Sequence, residues 1–337
     1  MNTGNNLLFF GWGLILSGII VSGVLSESTL RAAEPTFLGA KDEELRAGSL
    51  GLLPVLLTNQ SRVPAFGVEV GVELLPAGQV LLPEGEGSMT SGRTYELRLA
   101  PAAHKRCAVP VRPQERGRYV VATLRTATRA PFGFFEKERI VSAPRGEPSA
   151  PRPEVVVLPA RVDTTAIAKA LFARLGEVPA SVAGVGDELF SLRPFRTGDD
   201  PRRIAWRRTA RTGRMVVREM EATTSREIVV DLVLGELHDA AEDAIATAGS
   251  LVEDLLAAGH QVGVRGPGLL VRPGRGSRQR LACLQALATW PAERAAVIPA
   301  LAGAAIISVI AQDALAPDDG DVVVAAQPRR AMSAGAA

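Results

Sequence analysis

The chain has 337 residues, 47% of them hydrophobic and 22% charged, and a net charge of +2 at pH 7. That is a globular mixture of two-module length, which excludes wholesale disorder and a global field steering the chain to nucleic acid. Two cysteines, Cys107 and Cys283, and three histidines exclude a disulfide-stapled scaffold and Cys- or His-rich metal sites. Of 38 cationic residues all but Lys41, Lys105, Lys137 and Lys169 are arginine, so an isolated arginine carries little meaning.

Residues 7–25 carry no charge, and the first ionisable side chain is Glu27. Nineteen helical residues span about 28 Å, against a hydrocarbon core of about 30 Å. The pattern predicts a transmembrane anchor within residues 1–30. A cleaved signal peptide fits less well, because no basic segment precedes the run and no A-x-A site follows promptly. Gly11, Gly13, Ser17, Gly18, Ser22 and Gly23 give the helix a small-residue face suited to another helix. Arg31, Lys41 and Arg46 follow the run and no Lys or Arg precedes it, so the bulk is expected in the cytoplasm.

Residues 35–145 read as a β-sandwich. Strands are predicted at 50–57, 65–75, 93–100, 106–111 and 118–127, the second alternating with period 2. Asn59-Gln60-Ser61 is a formal glycosylation sequon, which a cytoplasmic location would make irrelevant. Residues 146–153 form a Pro-rich linker. Residues 154–328 alternate strand and helix, as a doubly wound parallel sheet does. Strands are expected at 154–158, 226–234, 261–264, 269–271, 304–310 and 321–325. Helices are expected at 239–258, stopped by Gly259, and at 278–290. Residues 329–337 are expected to be a disordered tail.

Residues 187–221 are the informative segment. Nine of the arginines fall within residues 193–218, and the only acids there are Asp199 and Asp200, a local charge of +7. Asp200-Pro201 fits an N-cap followed by Pro, which predicts a helix of about three turns ending near Arg211, with Trp206 as its core anchor. The arginines fit a solvated face, partners for internal or external acids, or contacts to nucleic acid or phospholipid.

The run LRPFRTGDDPRRIAWRRTAR at 192–211, followed by VRE at 217–219, resembles the signature of the bacterial domain-of-unknown-function family 58. The resemblance extends over the apolar helix, a PFGF at 131–134 and the sheet-and-helix region. It implies a von Willebrand factor A-like α/β domain and a MoxR-type AAA+ ATPase as partner, together with other membrane proteins of the same operon. The family usually begins with two transmembrane helices, so a second apolar stretch is expected upstream or has been lost. Arg193, Arg196, Gly198, Asp199, Asp200, Arg202, Arg203, Trp206, Arg207, Arg208 and Arg211 match the signature and are the candidate interaction residues.

A metal-ion-dependent adhesion site needs Asp-x-Ser-x-Ser. Here Asp231 is followed by Val233 and Gly235 where hydroxyls belong, so the site is read as degenerate and no cofactor is expected. Phosphate-loop, dinucleotide, zinc-protease and hydrolase motifs are missing from the sequence. The expectation is a non-enzymatic scaffold in the cytoplasmic membrane, with no nucleic-acid partner. Alternatives are a metal-dependent adhesion module and a binder of nucleic acid or anionic lipid through the arginine-rich segment.

Overall fold

The computed structural model describes residues 3–39, 44–77, 90–142, 153–176, 183–196, 202, 204–221, 227–290, 304–314 and 322–329. They fall into two compact units. One takes in Met1–Arg161, Leu284–Pro291 and Arg329–Ala337, the other Val162–Cys283 and Ala292–Pro328.

The first unit opens with helix α1 (Thr3–Ala32), which is long and apolar enough over Asn6–Ala32 to cross a membrane. Leu7, Phe9, Phe10, Trp12 and Ile15 are all more than half exposed, so the helix presents a broad apolar surface. Strand β1 (Ala33–Phe37) starts at the next residue, without a linker. The Gln60 amide donates to the Ala32 carbonyl at 2.9 Å and fixes the junction.

Eight further strands follow in this unit: β2 (Leu45–Arg46), β3 (Gly51–Asn59), β4 (Ala65–Pro76), β5 (Thr90–Leu99), β6 (His104–Val111), β7 (Gly117–Thr128), β8 (Lys137–Ser142) and β9 (Glu154–Leu158). One sheet has the order β1-β3-β6, the other β2-β9-β7-β4-β5, with β8 paired to β7. A single buried cluster draws Leu53, Val55 and Leu57 from β3, Val68, Val70, Val72 and Leu74 from β4, and Val109 from β6. Two sheets sharing one core make a sandwich, and the period-2 alternation of β4 supplies its inner face. At Gly92 the layers close on each other: a Cβ there would overlap the Pro110 carbonyl.

One expectation is corrected here. Glu154–Leu158, read from sequence with the second half, pairs with β7 and β2 and belongs to the sandwich. Its buried residues Val155 and Val157 complete the sandwich core, so partnership and not chain position decides its place. Asn59 of the sequon is 1% exposed. Its amide donates to the Val63, Leu99 and Ala100 carbonyls and its Oδ1 accepts from Ser61, so in the folded chain it staples a loop.

Arg116, in the loop before β7, donates to the Leu287 and Trp290 carbonyls at 2.9 and 3.1 Å. These lie at the end of helix α5 (Gly276–Thr289), where carbonyls lack intrahelical partners and a cation is favoured. Burial pulls the guanidinium down to about 10, so it stays charged at neutral pH.

The second unit contains α2 (Thr165–Gly176), a ribbon of β10 (Ala183–Pro194) with β11 (Val216–Glu221), and the short helix α3 (Trp206–Thr212) between them. A five-stranded sheet follows in the order β14-β13-β12-β15-β16: β12 (Glu227–Val233), β13 (Gln261–Gly266), β14 (Leu269–Gly274), β15 (Ala305–Ile310) and β16 (Val322–Ala325). All are parallel except the edge strand β14. Helix α4 (His238–Ala257) covers β12, β13 and β15 with a face of buried residues that includes Ile245, Leu251, Val252 and Leu255. Gly259 at φ +88° ends it as the sequence predicts: its amide donates to the Leu256 carbonyl, and that of His260 to Leu255. Strands β1, β2, β8 and β10 and helix α2 are additions to the sequence reading. The linker at 146–152 and the tail at 330–337 lie outside the described residues.

Replacing Arg116 by Ala strands two carbonyls at the end of α5 and should cost about 2–3 kcal/mol in urea denaturation. Cys107 and Cys283 are both buried, and burial pushes both thiols up, Cys283 to about 12. Their stabilising effect is complete below about pH 8.5, where a solvated thiol is neutral. Above that pH the unfolded chain releases protons the folded chain keeps, so stability falls as pH rises toward 12. Substituting Cys283 by Ala should flatten that part of the stability profile.

Candidate functional site

The signature segment is built on the β10–β11 ribbon. The Phe195 amide donates to the Met215 carbonyl and the Ala205 amide to Val216, and Ile204 bridges Val217. Ile204, Ala205 and Val217 are buried at 6, 5 and 3% exposure and anchor the segment. Helix α3 then runs seven residues and stops at Gly213, a left-handed cap at φ +66° whose amide donates to the Thr209 carbonyl. Thr209 Oγ1 accepts from the Val216 amide, tying helix to strand.

The observed helix is shorter than expected. Its N-cap is Ala205, which makes no side-chain cap bond, and Ile204 before it is held in the bridge to Val217. Trp206 is therefore the first helical residue and not a mid-helix one. It is 63% exposed, which overturns its reading as a core anchor. Burial in this segment falls to Ile204 and Ala205 instead.

Arg196, Arg202, Arg207, Arg208 and Arg211 are exposed, and Arg193 is half-buried with its guanidinium donating to the Pro194 carbonyl. Leu192 and Met215 are 40 and 50% exposed. The segment thus brings an indole, apolar side chains and guanidinium groups to solvent together. Gly198, Asp199, Asp200 and Arg203 lie outside the described residues.

The second candidate region is the parallel sheet. The chain reverses direction across the sheet at β12, whose neighbours are β13 and β15, and ligands of such sheets bind beyond the carboxyl ends of the strands there. Asp231 sits on β12 at 4% exposure, in register with Arg265 on β13 and Ser308 on β15. Arg265 grips it bidentately, Nε to Oδ1 at 3.1 Å and Nη2 to Oδ2 at 2.7 Å. Both carboxylate oxygens face a guanidinium, which stands where a cation would. At the strand end, a Cβ on Gly235 would overlap the Asp313 carboxylate, which accepts from the Leu237 amide at 2.6 Å. The position that lacks a hydroxyl in the adhesion motif is thus filled by a carboxylate from the loop after β15.

Arg265 and Asp313 were not singled out in the sequence. Arg265 had a signal: a charge within the apolar run QVGVRG of an interior strand needs a partner, and Asp231 is the charge in the adjacent strand. Asp313 had none, since it belongs to a turn.

Other chemistry is sparse. Among the described residues no group of three or more His, Cys, Asp or Glu could hold a metal ion. A cavity of about 310 Å³ between α2 and β16 is lined by Ile167, Leu171, Val322, Val324 and other residues without a titratable group.

Residues 191–284 match the family model described as "Protein of unknown function DUF58". No curated protein matches the chain. Among solved structures, the crystal structure of DesR, a β-glucosidase from Streptomyces venezuelae in complex with D-glucose, is similar at 16% identity. It covers 33% of this chain and 15% of that one, at a TM-score of 0.20. So low a score carries no argument about fold or activity.

Removing one partner of the Asp231–Arg265 pair leaves a buried charge uncompensated. Arg265→Met should cost about 3–5 kcal/mol, and adding Asp231→Leu should recover most of it. Urea denaturation of both variants checks this. A single variant as stable as the parent would show that solvent reaches the carboxylate.

Proposed function

We propose that this chain, whose residues 191–284 match the DUF58 family model, is a membrane-anchored scaffold without catalytic chemistry of its own. Its signature segment is a docking surface for another protein. The observation that carries this reading is Trp206, 63% exposed at the head of α3 beside Arg207 and Arg211, both exposed. Indole and guanidinium groups dominate binding energy at protein interfaces. An exposed Trp contributes nothing to the chain's own core, whereas a partner could bury it.

The partner in this reading is a MoxR-type AAA+ ATPase, which the resemblance of the signature suggests. The membrane is the cytoplasmic one, with the bulk of the chain on the cytoplasmic side. Arg31, Lys137 and Arg139 lie at or beside the end of α1, as the positive-inside tendency favours. The second unit is read as von Willebrand factor A-like: a parallel sheet with an acid, Asp231, on the strand at its reversal point. The guanidinium on that acid argues against the metal-dependent adhesion alternative.

The test is capture of a MoxR-type AAA+ ATPase by the full chain in membranes. Trp206→Ala should leave the melting temperature within a few degrees, since exposed substitutions cost about 0.5 kcal/mol or less. It should weaken capture by about 2 kcal/mol or more, roughly thirtyfold in Kd. Arg207→Glu with Arg211→Glu should act alike. Undiminished capture by both variants would refute the surface assignment.

A further inference from the structure

The β7–β8 hairpin ends in a tip, residues 130–135, with the sequence APFGFF and no ionisable group. Phe132, Phe134 and Phe135 are 57, 58 and 43% exposed. The Phe132 and Phe134 rings lie 5.7 Å apart, and Gly133 closes the turn with φ +74° and its amide on the Arg129 carbonyl. Three exposed phenylalanines on one turn are unusual in a chain that is 4% aromatic.

Their position explains them. The hairpin runs along the second half of α1. Arg139 donates to the Leu30 carbonyl, and Lys137 donates to the Gly23 carbonyl at 2.9 Å and to Glu27 at 3.2 Å. Phe134 Cε2 is then 3.9 Å from where a Gly18 Cβ would stand. Leu30 to Gly18 is twelve helical residues, about 18 Å. The Phe134 contact shows that the tip advances along the helix as far as Gly18. That is nine residues, about 14 Å, past Glu27 toward the uncharged end of α1. The small residue at Gly18, expected to face another helix, faces the chain's own hairpin.

Below the tip the hairpin carries an ionic collar. Arg129 pairs with Glu136 at 2.8 Å and Lys137 with Glu27 at 3.2 Å. Apolar side chains beyond a ring of charges is the pattern of a segment that enters the boundary between headgroups and acyl chains.

We propose that the hairpin tip at Phe132, Phe134 and Phe135 is a second membrane contact, inserted among lipid acyl chains beside α1. This rests on the reading of α1 as a transmembrane helix. The occupant is lipid rather than protein because the tip shares the depth of a helix whose outer surface is apolar nearly all round, and charges appear only on the solvent side of it. The contact orients the sandwich on the bilayer as well as tethering it.

The experiment places an environment-sensitive NBD label on single cysteines in the full-length chain, reconstituted in phosphatidylcholine vesicles. Cys107 and Cys283 are buried and leave the introduced thiol as the reactive one. Phe134→Cys tests the tip, with Phe132→Cys as a second site. Ser17→Cys reports α1, and Gln114→Cys, in the loop at the other end of β7, reports the aqueous side. Lipids with nitroxides on the acyl chains should quench the tip labels as strongly as position 17 and several-fold more than position 114. Aqueous iodide should show the reverse order. Iodide quenching at 134 and 132, with lipid quenching at 17, overturns the proposal and leaves the anchor standing. Quenching of the tip by neither agent means that protein covers it, which also overturns the proposal. Iodide quenching at 17 removes the anchor reading, and the proposal with it.

Discussion

An apolar helix that runs into a β-strand without an intervening residue is the constraint on which the first unit depends. Between Ala32 and Ala33 the backbone changes from helix to strand, and the Gln60 amide holds the last helical carbonyl at that point. A flexible tether would leave the sandwich free to tumble relative to the helix. Here the direction of α1 sets the direction of β1, β1 pairs with β3, and β3 with β6. Lys137 and Arg139 add a second attachment from the other sheet by donating to helix carbonyls. Both layers of the sandwich are thus referenced to one helix axis.

The second unit is organised by a different constraint, a charge inside a parallel sheet. Burying Asp231 among Ile228, Val229, Val230 and Leu232, none of them measurably exposed, would be prohibitive without a counter-charge. Arg265 supplies it from the adjacent strand. Close by, Gly263 brings β13 against β14 so tightly that a Cβ would meet the Val271 carbonyl, and the strand register slips between Val262 and Val264. Gln279 on α5 accommodates the slip by donating to the Val262 and Arg272 carbonyls. A polar side chain thus replaces part of the ladder that the bulge interrupts.

Much of this was legible in the sequence, and what was not has identifiable causes. Five of the nine sandwich strands, β3 to β7, and the strands of the parallel sheet announce themselves by alternation or by apolar runs, and Gly259 marks the end of α4. Strand β1 hides because AEPTF carries a Pro and a Glu. Such a segment can pair only at an edge, as it does against β3. Strand β8, with four of its six residues charged or polar, forms because β7 offers an open edge, which is a tertiary fact. The signature was legible as an exposed basic segment but not in its geometry. Asp200-Pro201 fits a helix start well enough to place Trp206 in mid-helix, whereas Trp206 opens α3 directly after the bridge of Ile204 to Val217 and is 63% exposed. That bridge is a pairing that only the folded ribbon creates.

The Asp231–Arg265 pair also shapes how the second unit answers to heat. Hydration of ions carries a strongly negative entropy, so the cost of stripping water from both groups shrinks on warming, while the benefit of apolar burial levels off. The sheet beneath α4 therefore gains relative to its apolar surroundings as temperature rises. Its stability curve should be flatter at the warm end than one resting on the same strands with a leucine at position 231.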